Sequence, residues 1–201
     1  MSPRDHARAG EVLAKAFRGD PLWSAVIPDE ETRPAALAGM FTALANAVSA
    51  ARGVGETTSG FESVALWLPP GREIGFRATL RSGFALPRFV SGLPSQERKR
   101  MLAVLAQLDE KRKESVPESH WYLSAVGVEP DSQGRGLGSA LVRSGIAKAE
   151  RDDAPIYLET ETEGNVGYYE GLGFRVIDEI AATGLDLTIW LMIRPPETAH
   201  R

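Results

Sequence analysis

The chain has 201 residues, of which 43% are hydrophobic and 25% charged, and this suits one well-packed domain over residues 1–201. Its net charge of −4 argues against nucleic-acid binding. The chain has no cysteine, so we expect no disulfides. Its histidines are His6, His120 and His200, whose spacing does not suit metal ligands, so we expect no metal site. No apolar run approaches the ~20 residues of a membrane span, and the N-terminus lacks the apolar core of a signal peptide. We therefore expect a cytoplasmic, bacterial-type protein that does not bind a membrane.

The first half of the chain predicts mainly helices, because its apolar residues recur at helical spacing between proline and glycine breaks. Pro3 stands at the first position of the first helix, and Asp20-Pro21 ends that helix. One strand is expected where apolar residues run up to the Pro-Pro-Gly turn at 69–71. In chain order, the predicted elements are a helix over 2–19, a helix over 34–52, a strand over 61–68, short helices within 73–92 and a helix over 95–116.

The second half predicts alternating strands and helices. A long strand rich in aromatic and β-branched residues leads through a glycine-rich turn and a helix to another strand, which predicts a parallel pair with a right-handed crossover. A short helix and two antiparallel strands complete the pattern. The expected bounds are strands at 120–128, 155–160, 174–180 and 185–194, with the short helix at 165–171. The predicted fold class is therefore α/β with one long central sheet.

The glycine-rich turn is the most informative segment. Gly134, Gly136 and Gly138 leave backbone N–H groups uncovered at the start of a helix, where the helix dipole favours an anion such as a phosphate. A P-loop would need a lysine after the last glycine, and a dinucleotide fold would need G-x-G-x-x-G directly after the strand, with Glu159 as its ribose-binding acid. A Q-x-x-G-x-G pattern, which starts at Gln133 and ends at Gly138, fits better.

A second motif, N-V-G-Y-Y-E-G-L-G-F, follows at 165–174, and in this order and spacing the two resemble the GNAT family of acyl-CoA-dependent N-acyltransferases. The resemblance covers residues 118–194 and is closest to the puromycin N-acetyltransferase-type branch. It implies a mixed central β-sheet with a splayed parallel strand pair, flanked by helices, and acetyl-CoA as cofactor. Two features depart from the family: Asn165 stands only four positions before Tyr169, and the strand that usually opens the domain is short or missing.

The resemblance also implies which residues hold the cofactor. Val126 and Val128 would pair through their backbone with the pantetheine arm, and one of their N–H groups would act as an oxyanion hole. Asn165 is read either as a pantetheine contact or as a helix N-cap. The pyrophosphate would lie on the turn, whose candidate residues are Gln133, Gly134, Arg135, Gly136, Gly138 and Ser139.

The candidate catalytic residues are Tyr169 and Glu159. Tyr169 would protonate the leaving thiolate, or else serve as a core aromatic. Glu159 would take the proton of the attacking amine, or else pair with an arginine or with backbone. Glu161 and Glu163 are expected to be solvated loop acids. These alternatives stay open at the level of sequence.

The substrate pocket is expected in the first half of the chain, lined by Trp23, Phe41 and Trp67, although each is equally suited to an ordinary core position. The predicted function is acetyl-CoA-dependent N-acetyl transfer to the primary amine of a small molecule. The alternatives are a non-catalytic acyl-CoA-binding or sensing protein and a nucleotide-binding domain. A monomer and a homodimer fit the sequence equally.

Overall fold

A computed structural model of the chain describes residues 1–197, and His200 lies outside the described residues. Its β-strands are β1 (Val54–Thr57), β2 (Ser63–Leu68), β3 (Trp121–Val128), β4 (Ile156–Thr160), β5 (Arg175–Ala181) and β6 (Thr188–Arg194). Its α-helices are α1 (His6–Ala16), α2 (Pro21–Val26), α3 (Arg33–Ala50), α4 (Phe76–Arg81), α5 (Ala85–Gly92), α6 (Ser95–Ser115), α7 (Leu137–Arg151) and α8 (Glu163–Glu170). Short 3₁₀ turns at Pro3–Asp5 and Pro130–Ser132 precede α1 and α7.

The six strands form one mixed sheet in the order β1-β2-β3-β4-β6-β5. Every neighbouring pair is antiparallel except β3 and β4. That parallel pair is in register only at Trp121–Ile156 and Tyr122–Tyr157, although both strands continue beyond these residues. The two strands therefore splay apart toward their carboxyl ends, and the predicted mixed sheet with a splayed parallel pair is confirmed.

Helices cover both faces of the sheet and bury three apolar clusters. On one face, α1 and α3 pack together over β2 and β3, with Leu13, Leu37 and Leu66 fully buried. On the opposite face, α7 packs on β2 and β3, and Gly145 allows this close approach because a Cβ there would lie 2.1 Å from the Trp67 ring. The α6 helix contributes Val104 to a third cluster on β4, β5 and β6.

A β-bulge in β3 changes which side chains face each layer. Leu66 pairs with Ala125 and Trp67 pairs with Leu123, so Ser124 has no partner on β2. A bulge of this kind re-aims the side chains that follow it. The bulge lies where β3 separates from β4, so it positions the residues at the start of the splayed gap.

Several sequence predictions need correction. The short edge strand β1 and the helix α2 were not predicted, and β2 begins at Ser63 rather than at residue 61. The helix α8 begins at Glu163 with Thr162 as its N-cap, so the interpretation of Asn165 as the N-cap is wrong. Within residues 1–197 no strand precedes α1, and the Met1 amino group instead donates a hydrogen bond to the Gly55 carbonyl of the edge strand at 2.9 Å.

Candidate active site

The glycine-rich turn adopts a conformation that its glycines require. Gly134 and Gly136 have φ of +74° and +76°, in the left-handed region where a side chain is strained. Gly136 is the residue before the first helical position of α7, and the Gln133 side chain donates to the Val128 carbonyl at 3.3 Å, which ties the turn to β3. Gly138 fits tightly, since a Cβ there would lie 3.1 Å from Val128 Cγ2. The first N–H groups of α7 thus end in an open turn without intrahelical partners.

The turn forms one wall of a cleft of about 820 Å³, which opens between the end of β3, the turn, α8 and the end of α1. We call this space the cleft. Of the predicted cofactor-binding residues, those that line it are Val126, Val128, Gln133, Gly134, Gly136, Gly138, Ser139 and Asn165. The exception is Arg135, whose guanidinium donates a hydrogen bond to the Ser132 hydroxyl at 3.4 Å.

Two side-chain hydrogen bonds join the helix α8 to neighbouring elements of the cleft. The Tyr168 hydroxyl donates to Ser139 Oγ at 3.1 Å, which joins α8 to the N-terminus of α7. The Asn165 side chain donates to Thr160 Oγ1 at 3.1 Å, which joins α8 to the end of β4. Side-chain hydrogen bonds to the start of α7 and to the end of β4 therefore hold the second wall of the cleft in place.

A second cavity, of about 330 Å³, lies deeper in the molecule between β3 and β4 and the helices α2, α3, α5 and α6. We call this space the chamber. It shares lining residues with the cleft, namely Phe17, Asp20, Val126, Asn165 and Tyr169. The cleft and the chamber therefore meet beside Tyr169 and the splayed part of β3.

Tyr169 stands at that junction. It is 7% exposed, and its ring packs against Phe174 and Tyr168 with centroid separations of 5.5 and 5.0 Å. Burial raises the pKa of Tyr169 above its ordinary value of 10, so the phenol stays protonated at neutral pH. The residue is a core aromatic by its packing, and its protonated hydroxyl suits it to donate a proton or a hydrogen bond at the junction.

Three carboxyl groups border the chamber at its sheet side and at the junction. Glu159 lies on β4, Glu161 follows that strand, and Asp20 is the N-cap of α2, where its carboxylate accepts from the Trp23 N–H at 3.2 Å. Burial raises the pKa of all three, and for Glu161 burial and the neighbouring charges of Asp20 and Glu159 raise the pKa to about 8. Glu161 is half-buried and lines the chamber, so it is not the freely solvated loop acid that the sequence predicted.

Two tyrosine hydroxyls and one guanidinium lie around Glu159. Burial raises its pKa, while the Tyr122 and Tyr157 hydroxyls and the Arg112 guanidinium act in the opposite direction. Arg112 lies over the Tyr122 ring at 5.2 Å and pairs with Asp109 at 2.8 Å. Glu159 Oε1 is buried and has no hydrogen-bond partner among the described residues. A buried carboxylate oxygen without a donor is costly, which marks this position as one that a ligand or water would complete.

The predicted substrate-lining residues separate into two groups. Trp23 and Phe41 line the chamber, and their rings meet edge-on at 5.5 Å. Trp67 instead is fully buried on the other face of the sheet, where its ring lies edge-on to Trp121 and against Gly145. Of the two alternatives for Trp67, substrate pocket or core, the structure therefore shows the core position. Side chains alternate along β2, with Leu66 and Leu68 in the cluster beneath α1 and α3 and Trp67 in the cluster beneath α7, and the sequence does not say which of these faces adjoins the chamber.

Residues 1–197 contain neither a cluster of metal-ligating side chains nor a membrane-spanning helix. No group of three or more histidine, aspartate or glutamate side chains there could hold a metal ion. Likewise, none of the helices described in that range has the length and apolar character needed to cross a membrane.

Comparison with known proteins gives the following relationships. Residues 101–174 match the family described as the acetyltransferase (GNAT) family. A crystal structure of histone acetyltransferase HPA2 and related acetyltransferase from Corynebacterium glutamicum is 26% identical, with a TM-score of 0.66 over 98% of this chain and 93% of that chain.

Two other solved structures share the fold at lower identity. Arylalkylamine N-acetyltransferase 2 from Aedes aegypti is 15% identical, with a TM-score of 0.61 over 97% of this chain and 96% of that chain. An agmatine N-acetyltransferase is 14% identical, with a TM-score of 0.59 over 97% and 96% of the respective chains. At these identities the likeness concerns the fold alone.

Proposed function

We propose that this protein moves an acetyl group from acetyl-CoA directly to the primary amine of a small molecule. The match of residues 101–174 to the acetyltransferase (GNAT) family and the GNAT-type fold of the chain support this proposal. The observation that carries the proposal is the junction of the cleft and the chamber at Tyr169. The junction gives two ligands one meeting point, which direct transfer requires.

The cleft fits the cofactor that the family implies. The free N–H groups at the start of α7 and the left-handed Gly134 and Gly136 suit a pyrophosphate. Within residues 1–197, the edge of β3 that faces β4 has no strand partner beyond Tyr122, so we place the amide-bearing arm against the backbone of Val126 and Val128, where the Val128 carbonyl already accepts from Gln133. Acetyl-CoA supplies the activated thioester; the protein's groups supply its position and the proton transfers.

Glu159 and Tyr169 divide the proton transfers in this proposal. Glu159, with its unpaired Oε1 at the floor of the chamber, takes the proton that the attacking amine loses, directly or through water. A backbone N–H of the splayed part of β3 stabilises the developing oxyanion. Tyr169, protonated at neutral pH, gives a hydrogen bond or its proton to the leaving thiolate, and where it gives the proton its phenolate takes one back from water in the open cleft. The puromycin-type branch remains a prediction from the sequence.

The first test is calorimetric titration of the folded protein with acetyl-CoA, followed by a thiol-release assay over a panel of amines. We expect micromolar binding and turnover with at least one small amine. Binding without turnover over the whole panel would favour the non-catalytic acyl-CoA-binding alternative. Absence of binding by a folded protein would contradict both.

The variant Glu159→Gln tests the base. It keeps the side-chain shape and removes the proton acceptor, so we expect kcat to fall by ~100-fold, within the range for loss of general-base catalysis, with little change in acetyl-CoA affinity. Glu163→Gln is the matched control, because Glu163 is an exposed glutamate four residues further along. Equal kcat for both variants would remove Glu159 from this step.

A further inference from the structure

We infer that the chamber accepts a monoamine whose remaining body is apolar, uncharged and on the order of ten non-hydrogen atoms in size. This inference rests on the proposed function and names the acceptor class for it. The size follows from the chamber volume of about 330 Å³. A water molecule's share of liquid volume is about 30 Å³, so the space corresponds to roughly ten water-sized groups.

Carboxyl groups predominate among the charged side chains that line the chamber. Within residues 1–197, the charged side chains that line it are Asp20, Arg112, Glu159 and Glu161. Three of these four are carboxyl groups, and they border the sheet side and the junction with the cleft. The arrangement favours one positive group close to the site where the acetyl group would be transferred.

The side chains that the helices contribute to the chamber are mainly apolar. They include Trp23, Met40, Phe41, Val90, Met101 and Leu105. A second ammonium on the ligand would reach these side chains without a carboxylate to pair with, and a buried unpaired charge is costly. Diamines and polyamines therefore fit the chamber poorly.

Arg112 does not offer the chamber a free partner for a ligand carboxylate. Its guanidinium already pairs with Asp109 at 2.8 Å and stacks on the Tyr122 ring at 5.2 Å. A free amino acid would in addition bring its carboxylate close to Glu159, which the proposed transfer needs in its ionised form, so the two charges would repel. A zwitterionic acceptor is therefore disfavoured for a different reason than a diamine.

Within residues 1–197, two buried polar atoms of the chamber lack hydrogen-bond partners, and the single amino group of a monoamine would satisfy them. Glu159 Oε1 and Ser124 Oγ are both buried, lie on residues that line the chamber and have no hydrogen-bond partner among the described residues. An ammonium or amine placed there would donate to the carboxylate oxygen and meet the hydroxyl. The body of the ligand would then extend toward the apolar helices.

The test compares amines that differ in one charge. Thiol release is measured with hexylamine against 1,6-diaminohexane, and with 2-phenylethylamine against phenylalanine. We expect kcat/KM to favour each monoamine by ~100-fold, the discrimination that an unpaired buried charge produces. Equal or better turnover of the diamine, of phenylalanine or of a lysine-containing peptide amide would overturn the inference and leave acetyl transfer itself established.

A pair of variants on α6 sharpens the test. Leu105 lines the chamber and is 44% exposed, so Leu105→Glu places a carboxylate among the apolar side chains of the chamber with little risk to folding. Leu102, on the same helix, is 50% exposed and does not line the chamber, so Leu102→Glu is the control. We expect Leu105→Glu alone to raise the preference for 1,6-diaminohexane over hexylamine by ~10-fold, because the second ammonium gains a partner. An equal effect of both variants would contradict the inference.

The test also separates failure of this inference from failure of the proposed function. If the protein binds no acetyl-CoA or acetylates no amine, the proposed function fails, and the chamber is then examined by calorimetric titration with hexylamine and 1,6-diaminohexane alone. Tighter binding of hexylamine supports the inference even then. Equal binding, or no binding of either, overturns it.

Discussion

The cleft and the chamber share five lining residues, yet the chain builds them in different ways. Much of the cleft comes from one continuous segment, residues 126–139, and the groups that we propose to bind an anion belong to its backbone. The chamber collects side chains from α2, α3, α5 and α6 and from two strands, over residues 17–169. A ligand common to a whole family suits a site made of backbone in a fixed turn. A ligand particular to one protein suits a site made of side chains that can change independently.

The largest effect should follow from a change at the junction of these two regions. Tyr169→Phe removes the hydroxyl and keeps the ring packed against Phe174. We expect kcat to fall by ~100-fold while the Kd for acetyl-CoA stays within about twofold, as measured by thiol release and calorimetry. The comparison variant is Tyr168→Phe, which removes the bond to Ser139 and should change kcat far less. Full activity of Tyr169→Phe across the pH range would exclude the proposed proton donor.

A substitution in the turn should affect the cleft and leave the chamber intact. Gly136 has φ of +76°, which costs an alanine roughly 1–2 kcal/mol. We expect Gly136→Ala to raise the Kd for acetyl-CoA by ~10-fold in calorimetry, because the strain displaces the N–H groups of the turn. Gly92→Ala is the control, since Gly92 has ample space and no positive φ. If both variants bound acetyl-CoA equally well, the turn would not be the anion site.

A substitution in the chamber should change the thermal stability of the protein by an amount that depends on pH. Glu161 has its pKa raised to about 8 from an ordinary value of 4.5, so between these pH values the folded protein holds a proton that the unfolded chain has released. Stability linked to this group is fully present below pH 4.5 and is lost as the pH rises towards 8. We expect Glu161→Gln to raise Tm at pH 9 by ~2–4 °C, the shift that about 1 kcal/mol produces in a domain of this size.

The same melting experiment at pH 5 provides the internal comparison. Near pH 5 the folded-state carboxyl is still protonated, so the difference in Tm between Glu161→Gln and the unsubstituted protein should shrink. Glu163→Gln should leave Tm unchanged at both pH values, because Glu163 is exposed. A rise in Tm that did not depend on pH would mean that Glu161 is not buried as a titrating group.

The smallest effect is expected at Arg135. Its guanidinium bonds to Ser132 and does not line the cleft, so it is not positioned for direct contact with a ligand there. Arg135→Ala should raise the Kd for acetyl-CoA by no more than ~3-fold, and the effect should diminish with added salt, as for a screened charge. A salt-independent loss of 10-fold or more would show that Arg135 contacts the pyrophosphate directly.

The contrast between the two regions also explains how far the sequence could be interpreted. The turn was predictable because its glycines and the start of α7 adjoin in the chain, so local rules apply. Glu161 was misassigned because Asp20 and the helices of the first half bury it, and nothing near residue 161 signals this. Trp67 differs from Trp23 and Phe41 in the face of the sheet on which it packs, and the alternation along β2 does not by itself say which face adjoins the chamber.

The short strand β1 illustrates a related difficulty. Val54–Thr57 has four residues, one of them glycine, and it follows directly on α3. Its pairing with β2 over Val64–Trp67 forms the strand, although its own composition favours one weakly. Elements of this kind depend on a partner distant in sequence, and local patterns predict them poorly.

Because Trp23 lines the chamber, its intrinsic fluorescence can report what binds there. Of the four tryptophans, Trp23 lines the chamber, whereas Trp67 and Trp121 pack with each other on the opposite face of the sheet and Trp190 lies on β6. An amine that enters the chamber displaces water from the Trp23 indole and brings a charge close to it. The intrinsic fluorescence of the unlabelled protein should therefore follow acceptor binding separately from cofactor binding.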